Sequence, residues 1–331
     1  MRPIAVGLIG AGKHGQRYAH HVRTDVPEFT LAALCRRDAR AGAAQARALA
    51  CRFLGTWEAV VADPGVEAVI AVVPPTLHPM LVSAVVAARK PLLIEKPLAT
   101  NGAAAVEIVD RLRASGLPCL MAHTLRWNAV VRTLREHLPA LGALHALSLN
   151  QRFEPSTLGW LDDPAVGGGG GIIGHTGVHS FDLVRHLTGR EVARVRCRGA
   201  RVHTRHTDDN FLALLELEGD GGPLVAVNGC RSTAGRSGLI DVAGAGGQLV
   251  GDHALGFAYR VQGVTRTPLA LPDAVPTVRE ALRAFARLLL TGEQPPVAVE
   301  DGARAVLIAD ACRQAARSGD TVPVTPLVGA G

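Results

Sequence analysis

Ile4-Ala5-Val6-Gly7-Leu8-Ile9-Gly10-Ala11-Gly12-Lys13-His14-Gly15 is the stretch that decides the fold of this chain. Six apolar residues lead into glycines spaced G-x-G-x-x-G, and a helical periodicity then runs to about residue 24. Glycine at these places meets three physical needs: a tight turn, a backbone that a pyrophosphate can approach, and close packing of helix on strand. The first amides of the helix then face the phosphates, where the helix dipole favours negative charge. Gly10, Gly12, Lys13, His14 and Gly15 are therefore candidate contacts for a dinucleotide.

Outward from this turn the rhythm repeats. Strand-like runs occur at 4–9, 30–34, 68–73, 92–94 and 118–122, with helical stretches between them at about 13–24, 39–50, 77–89 and 103–114. That alternation predicts right-handed crossovers and a doubly wound parallel sheet, an α/β Rossmann domain. The strands are continuously apolar, as a sheet covered on both faces requires. Beyond residue 123 the pattern changes to a helix at 128–139, a strand at 143–152, a loop rich in Pro, Trp and Gly, and a helix at about 172–188. Alternating strands follow at 191–203, 208–218, 223–233, 238–243, 247–251 and 256–262, and helices at 276–291 and 299–318 close the chain. The expectation is a dinucleotide-binding domain over 1–122 and a C-terminal α+β domain with a large, mostly antiparallel sheet over 123–331. The second domain would bind substrate, and the last helices would be able to pack back on the first.

Composition narrows the function. The chain has 331 residues, 48% of them hydrophobic, enough for two packed cores. A net charge of +6 raises the question of nucleic acid, yet the basic residues are spread along the chain and aromatics make up only 4%, so no binding to nucleic acid is expected. No apolar run reaches the ~20 residues that cross a bilayer, and no signal-peptide pattern precedes Ile4. The six cysteines are scattered without a C-x-x-C pair, in keeping with a reducing, cytoplasmic setting. Of 35 basic residues only three are lysines, Lys13, Lys90 and Lys96. Arginine supplies the ordinary surface charge here, which marks the lysines as places where a proton that can leave is wanted.

The second strand ends in Leu34-Cys35-Arg36-Arg37-Asp38. Sites that prefer NAD carry an acid at this tip, paired with the ribose hydroxyls, whereas a guanidinium suits a 2′-phosphate. Arg36, with Arg37 beside it, stands where the acid would be. Asp38 is either that acid or the N-cap of the next helix, and its place before an alanine-rich helix favours the cap. NADP is the expected cofactor, with NAD the alternative.

Further motifs share one order and spacing: Val73-Pro74-Pro75-Thr76-Leu77-His78, Glu95-Lys96-Pro97, Arg126, Trp160, Gly169-Gly170-Gly171, Gly177, His179 and Asp182. Together with the first turn they resemble the glucose–fructose oxidoreductase / inositol dehydrogenase / rhizopine catabolism (Gfo/Idh/MocA) family over essentially the full length. The resemblance implies hydride transfer between nicotinamide and a hydroxyl- or carbonyl-bearing carbon of a sugar, cyclitol or related polyol. It implies that Pro74 and His78 belong to a loop beside the cofactor and that Glu95 sits near the nicotinamide ribose. Lys96 would hydrogen-bond the reacting oxygen, with a cis bond between it and Pro97. It also implies a homodimer or homotetramer through the C-terminal sheet.

His179 is the candidate acid/base, since imidazole titrates near neutral pH. The family often has Asp four residues before this histidine, and here that residue is His175. On a regular helix the two imidazoles share a face, so His175 is a second catalytic candidate and the proton path differs. His123 and Arg126, at the sheet's C-terminal edge, are candidates to reach substrate, as is Trp160; Arg126 has an alternative as an ion-pair partner. H-x3-H spacing at 175 and 179 lacks the Glu of the zinc protease pattern, and no metal is expected. Two other functions fit the same resemblance: a glycosidase that uses bound NAD without net redox change, and a non-catalytic NAD(P)-binding regulator.

Overall fold

The computed structural model describes residues 2–157, 159–163 and 171–327, and it divides into two compact units. The first comprises residues 1–99, 103–124 and 276–301; the second comprises 100–102, 125–275 and 302–331.

In the first unit, strands β1 (Ile4–Ile9), β2 (Phe29–Cys35), β3 (Arg52–Phe53), β4 (Ala68–Ala71), β5 (Leu92–Glu95) and β6 (Cys119–Ala122) form one sheet in the order β3-β2-β1-β4-β5-β6. Every pairing is parallel. The order reverses between β1 and β4, which is the crevice position where doubly wound sheets bind ligands. Helices α1 (Gly15–Thr24), α2 (Ala39–Ala48), α3 (Trp57–Ala62), α4 (His78–Ala87) and α5 (Gly102–Ser115) follow the strands. The central strands β4 and β5 are buried throughout. The strand β3 and the helix α3 have no counterpart in the sequence reading. Two residues of strand, one of them Arg, carry no periodicity to detect.

The second unit is built on a sheet of nine strands: β7 (Leu144–Arg152), β8 (Val192–Ala200), β9 (Asn210–Leu217), β10 (Leu224–Cys230), β11 (Ser237–Gly244), β12 (Gly247–Asp252), β13 (Phe257–Gln262), β14 (Thr265–Pro268) and β15 (Val322–Pro323). Their order is β14-β13-β12-β11-β7-β10-β9-β8-β15, antiparallel except for β7 with β10. Along β9 burial alternates strictly, Phe211, Ala213 and Leu215 inward and Leu212 and Leu214 outward, which is the signature of a sheet with one covered face. Helices α6 (Ala129–His137) and α7 (Val178–Thr188) pack on this sheet. Two more helices, α8 (Thr277–Thr291) and α9 (Val299–Ser318), complete the chain, α8 packing against α1 in the first unit. Among the described residues no helix is long and apolar enough to cross a membrane.

Candidate functional site

Because all six strands of the first sheet are parallel, the residues that follow them gather along one edge. The glycine turn follows β1, Arg36 and Arg37 follow β2, Pro74 follows β4, Glu95 ends β5 with Lys96 just after it, and His123 follows β6. The turn itself separates what the fold needs from what a ligand needs. Gly10 has φ +92°, and a Cβ there would lie 2.1 Å from the Val72 carbonyl oxygen; a Cβ on Gly15 would lie 2.2 Å from that of Gly10. Those two glycines are demanded by packing. A Cβ on Gly12 would meet nothing within 4 Å, and its φ is ordinary, so the protein itself gives no reason for glycine there. A pyrophosphate lying against the backbone supplies one. The helix it would face, α1, has no acid in its first turn and no side-chain cap at its start, which leaves its amides open to an anion.

Glu95 is buried at the end of β5 and collects three partners. His14 Nε2 lies 2.7 Å from its Oε1, the Tyr18 hydroxyl donates to the same oxygen at 2.5 Å, and the Lys96 amide donates to Oε2 at 3.0 Å. Burial pushes this carboxyl up, but the His14 hydrogen bond and charge, the Lys96 charge and the Tyr18 hydroxyl outweigh it, and Glu95 sits below its usual range. Burial and the adjacent Glu95 hold Tyr18 well above an ordinary phenol, so it stays a donor. The Lys96–Pro97 bond is cis. Of the other lysines, Lys13 is exposed at the turn, and Lys90 donates from Nζ to the Asp63 carbonyl at 2.7 Å.

Arg36 is half-buried with its Nη1 3.5 Å from Gln45 Oε1, and Arg37 is exposed. Asp38 caps α2, its carboxylate accepting from the Ala41 amide at 2.9 Å, so the acid nearest this strand tip is committed to the helix. His78 is fully buried, and its Nδ1 donates to the Leu98 carbonyl at 2.9 Å. Burial lowers its pKa, and the ring braces the turn after β4. His123 is buried at the same edge.

In the second unit the segment before α7 departs from the regular helix of the sequence reading. Ile173–Gly177 is a π-helical turn, with His175 inside it and His179 in the first turn of α7. Such turns are rare and concentrate at functional sites. His175 thus lies in a π-turn rather than in one unbroken α-helix with His179. Arg126 donates from Nε and Nη2 to the two carboxylate oxygens of Asp182 at 2.9 and 2.5 Å, with both side chains buried. Arg126 is therefore an ion-pair partner, the alternative given for it above. Gly169, Gly170 and the Trp160 side chain lie outside the described residues.

A cavity of about 240 Å³ opens beside the π-turn, lined in part by His175, His203, Thr207, Asp208 and Arg231. Its loop wall is held by two carboxylates. Asp162 accepts from the amides of Arg205, His206 and Thr207, and Asp209 from those of Val202, His203 and Thr204. The amide bonds, that from Arg205 foremost, hold Asp162 far below the usual carboxylate range. Tyr18, Asp162, Asp209 and Arg231 were not singled out from sequence. Tyr18 was within reach, four residues after His14 on one helix face; the others gave no signal, because their partners are distant in the chain.

Two family models match the chain: "Oxidoreductase family, NAD-binding Rossmann fold" over residues 4–123, and "GFO/IDH/MocA C-terminal domain" over 132–250. Inositol 2-dehydrogenase 2 of Saccharopolyspora erythraea is 28% identical, covering 96% of this chain and 95% of that protein. Inositol 2-dehydrogenase of Acidothermus cellulolyticus is 30% identical over 65% of this chain and 62% of its own length. Among solved structures, an aldose-aldose oxidoreductase from Caulobacter crescentus superposes with a TM-score of 0.88 at 21% identity, covering 97% of this chain and 100% of that one, a likeness of fold. With matched models over 4–123 and 132–250, well over half its length, the chain belongs to the Gfo/Idh/MocA family of oxidoreductases.

Proposed function

We propose that this protein is an NAD(P)-dependent dehydrogenase or reductase that moves a hydride between the nicotinamide and a hydroxyl- or carbonyl-bearing carbon of a sugar, cyclitol or related polyol. The observation that carries the reading is Gly12, a glycine with open space where packing asks for none, at the head of an uncapped helix. The names of the inositol dehydrogenases among its relatives support the substrate class.

The bound nicotinamide supplies the hydride chemistry. The remaining roles fall to residues of this chain. The backbone of Gly10, Gly12 and Gly15 and the Lys13 side chain hold the pyrophosphate; Arg36 and Arg37 meet a 2′-phosphate, making NADP the preferred form. Pro74 shapes the cofactor's wall, and Glu95, kept ionised by His14 and Tyr18, orients the ribose. Lys96 hydrogen-bonds the reacting oxygen, His179 exchanges the proton, and His175 takes the place of an acid beside it. His123, Trp160 and Arg126 serve the substrate, Arg126 through the helix that Asp182 ties to it. The enzyme works as a homodimer or homotetramer in the cytoplasm.

Lys96→Met tests the assignment: it should leave cofactor affinity intact and cut turnover by more than ~100-fold. Undiminished turnover removes Lys96 from the reaction. Substrate-dependent change in absorbance at 340 nm tests for net redox, and discrimination between NAD and NADP should weaken in Arg36→Ser.

A further inference from the structure

Among the described residues, no carboxylate forms an ion pair with the arginine that lines the cavity beside the π-turn. Arg231 follows β10, donates from Nη2 to Thr176 Oγ1 at 2.8 Å, and lies over the Phe153 ring at 5.5 Å. Its Nε is buried with no hydrogen-bond partner. Two carboxylates of the cavity wall, Asp162 and Asp209, accept from backbone amides, while Asp208 also lines the cavity, beside Gly199, where burial raises its pKa and so disfavours its charge. Nearby Glu154 pairs with Arg236 at 2.7 Å. Residues 158 and 164–170 contain no acidic side chain. Burial lowers the Arg231 pKa, and the charge of Arg236, over the same Phe153 ring, lowers it further.

A partly desolvated guanidinium without a carboxylate carries a cost that a ligand bringing the missing charge would offset. At about 240 Å³ the cavity has room for part of a sugar. His175 lines the same space, one residue before the threonine that orients Arg231. We infer that this cavity is a subsite for an acidic group on the substrate, a carboxylate or phosphate carried by a sugar, with Arg231 as its counter-charge. The inference rests on the proposed function for the reaction, and it changes the substrate class from a neutral polyol to a sugar acid or sugar phosphate.

The test is calorimetric titration of the cofactor-loaded protein with D-glucuronate, D-gluconate and glucose 6-phosphate, against D-glucose and myo-inositol as neutral probes. At least one acidic probe should bind about 10-fold or more tightly than its neutral counterpart. Arg231→Met should erase that difference and leave cofactor affinity unchanged; Arg231→Lys, which keeps the charge and loses the planar fork, should retain part of it. The uronate and phosphate arms identify which anion is preferred. Equal binding of acidic and neutral probes, or an acid preference that survives in Arg231→Met, overturns the subsite. Should Arg231→Met fail to fold, Arg231→Gln, which keeps polarity and loses the charge, takes its place, and an undiminished acid preference in it overturns the subsite equally. Absorbance at 340 nm separates the two readings: acidic sugars that bind through Arg231 without reducing the cofactor leave the subsite standing and remove the dehydrogenase, whereas neutral polyols oxidised as well as acidic ones do the reverse.

Discussion

Among single residues, the first turn divides its glycines by cause. Gly10→Ala sets a Cβ against the Val72 carbonyl at a φ that side chains rarely adopt, and should destabilise the protein by roughly 2–4 kcal/mol in urea unfolding. Gly12→Ala meets open space and should stay within ~0.5 kcal/mol of the parent while losing about 10-fold or more in cofactor affinity. Unchanged affinity would mean that nothing approaches this backbone. Glu95 gives a second prediction, with its sign fixed by linkage. Its folded pKa is depressed, so its stabilisation is complete above the ordinary value near ~4.3 and disappears as pH falls through the lower folded value. In Glu95→Gln that contribution to the acid limb of the urea midpoint against pH should be missing; an unaltered limb would show that the His14–Glu95–Tyr18 cluster is not coupled to folding.

At the level of elements, what could be read in advance was whatever repeats. The apolar run of Ala68–Ala71 and the alternation of Asn210–Leu217 each announce their sheet, because burial imposes a period on the sequence. Arg52–Phe53 is too short to show one, and Thr265–Pro268 is exposed along its length, so no buried face marked it. The π-turn before α7 was invisible for a different reason: it inserts a phase change that composition does not register. Its surroundings are polar contacts between distant residues, Arg231 with Thr176 and Arg126 with Asp182. The latter pair is buried at 8% and 2% side-chain exposure, so removing one partner strands the other. Asp182→Asn should cost about 3–5 kcal/mol in urea unfolding, and the double change with Arg126→Met should recover much of it. A cost below ~1 kcal/mol would mean that the pair is solvated.

At the scale of the whole molecule, the proposed assembly rests on the open face of the second sheet. The outward face of the second sheet carries Leu212, Leu214 and Leu224 at 48%, 55% and 82% exposure, while the residues alternating with the first two are buried. Apolar side chains gathered on one open sheet face mark a contact with another surface. A second copy of the same sheet meets the need with the symmetry that homo-oligomers use. In the register of the sheet Leu214 lies between Arg196 on β8 and Ala226 on β10, so Leu214→Glu gains an opposite charge beside it within its own chain. The fold should therefore tolerate this change, whereas an interface over the same spot would have to bury an added carboxylate. Sedimentation of the parent protein should give twice or four times the chain mass of 34.6 kDa, and Leu214→Glu should shift it toward a single chain with its thermal midpoint measured alongside. A parent that sediments as one chain at every concentration would assign those leucines to some other contact and leave the redox centre to work in a monomer.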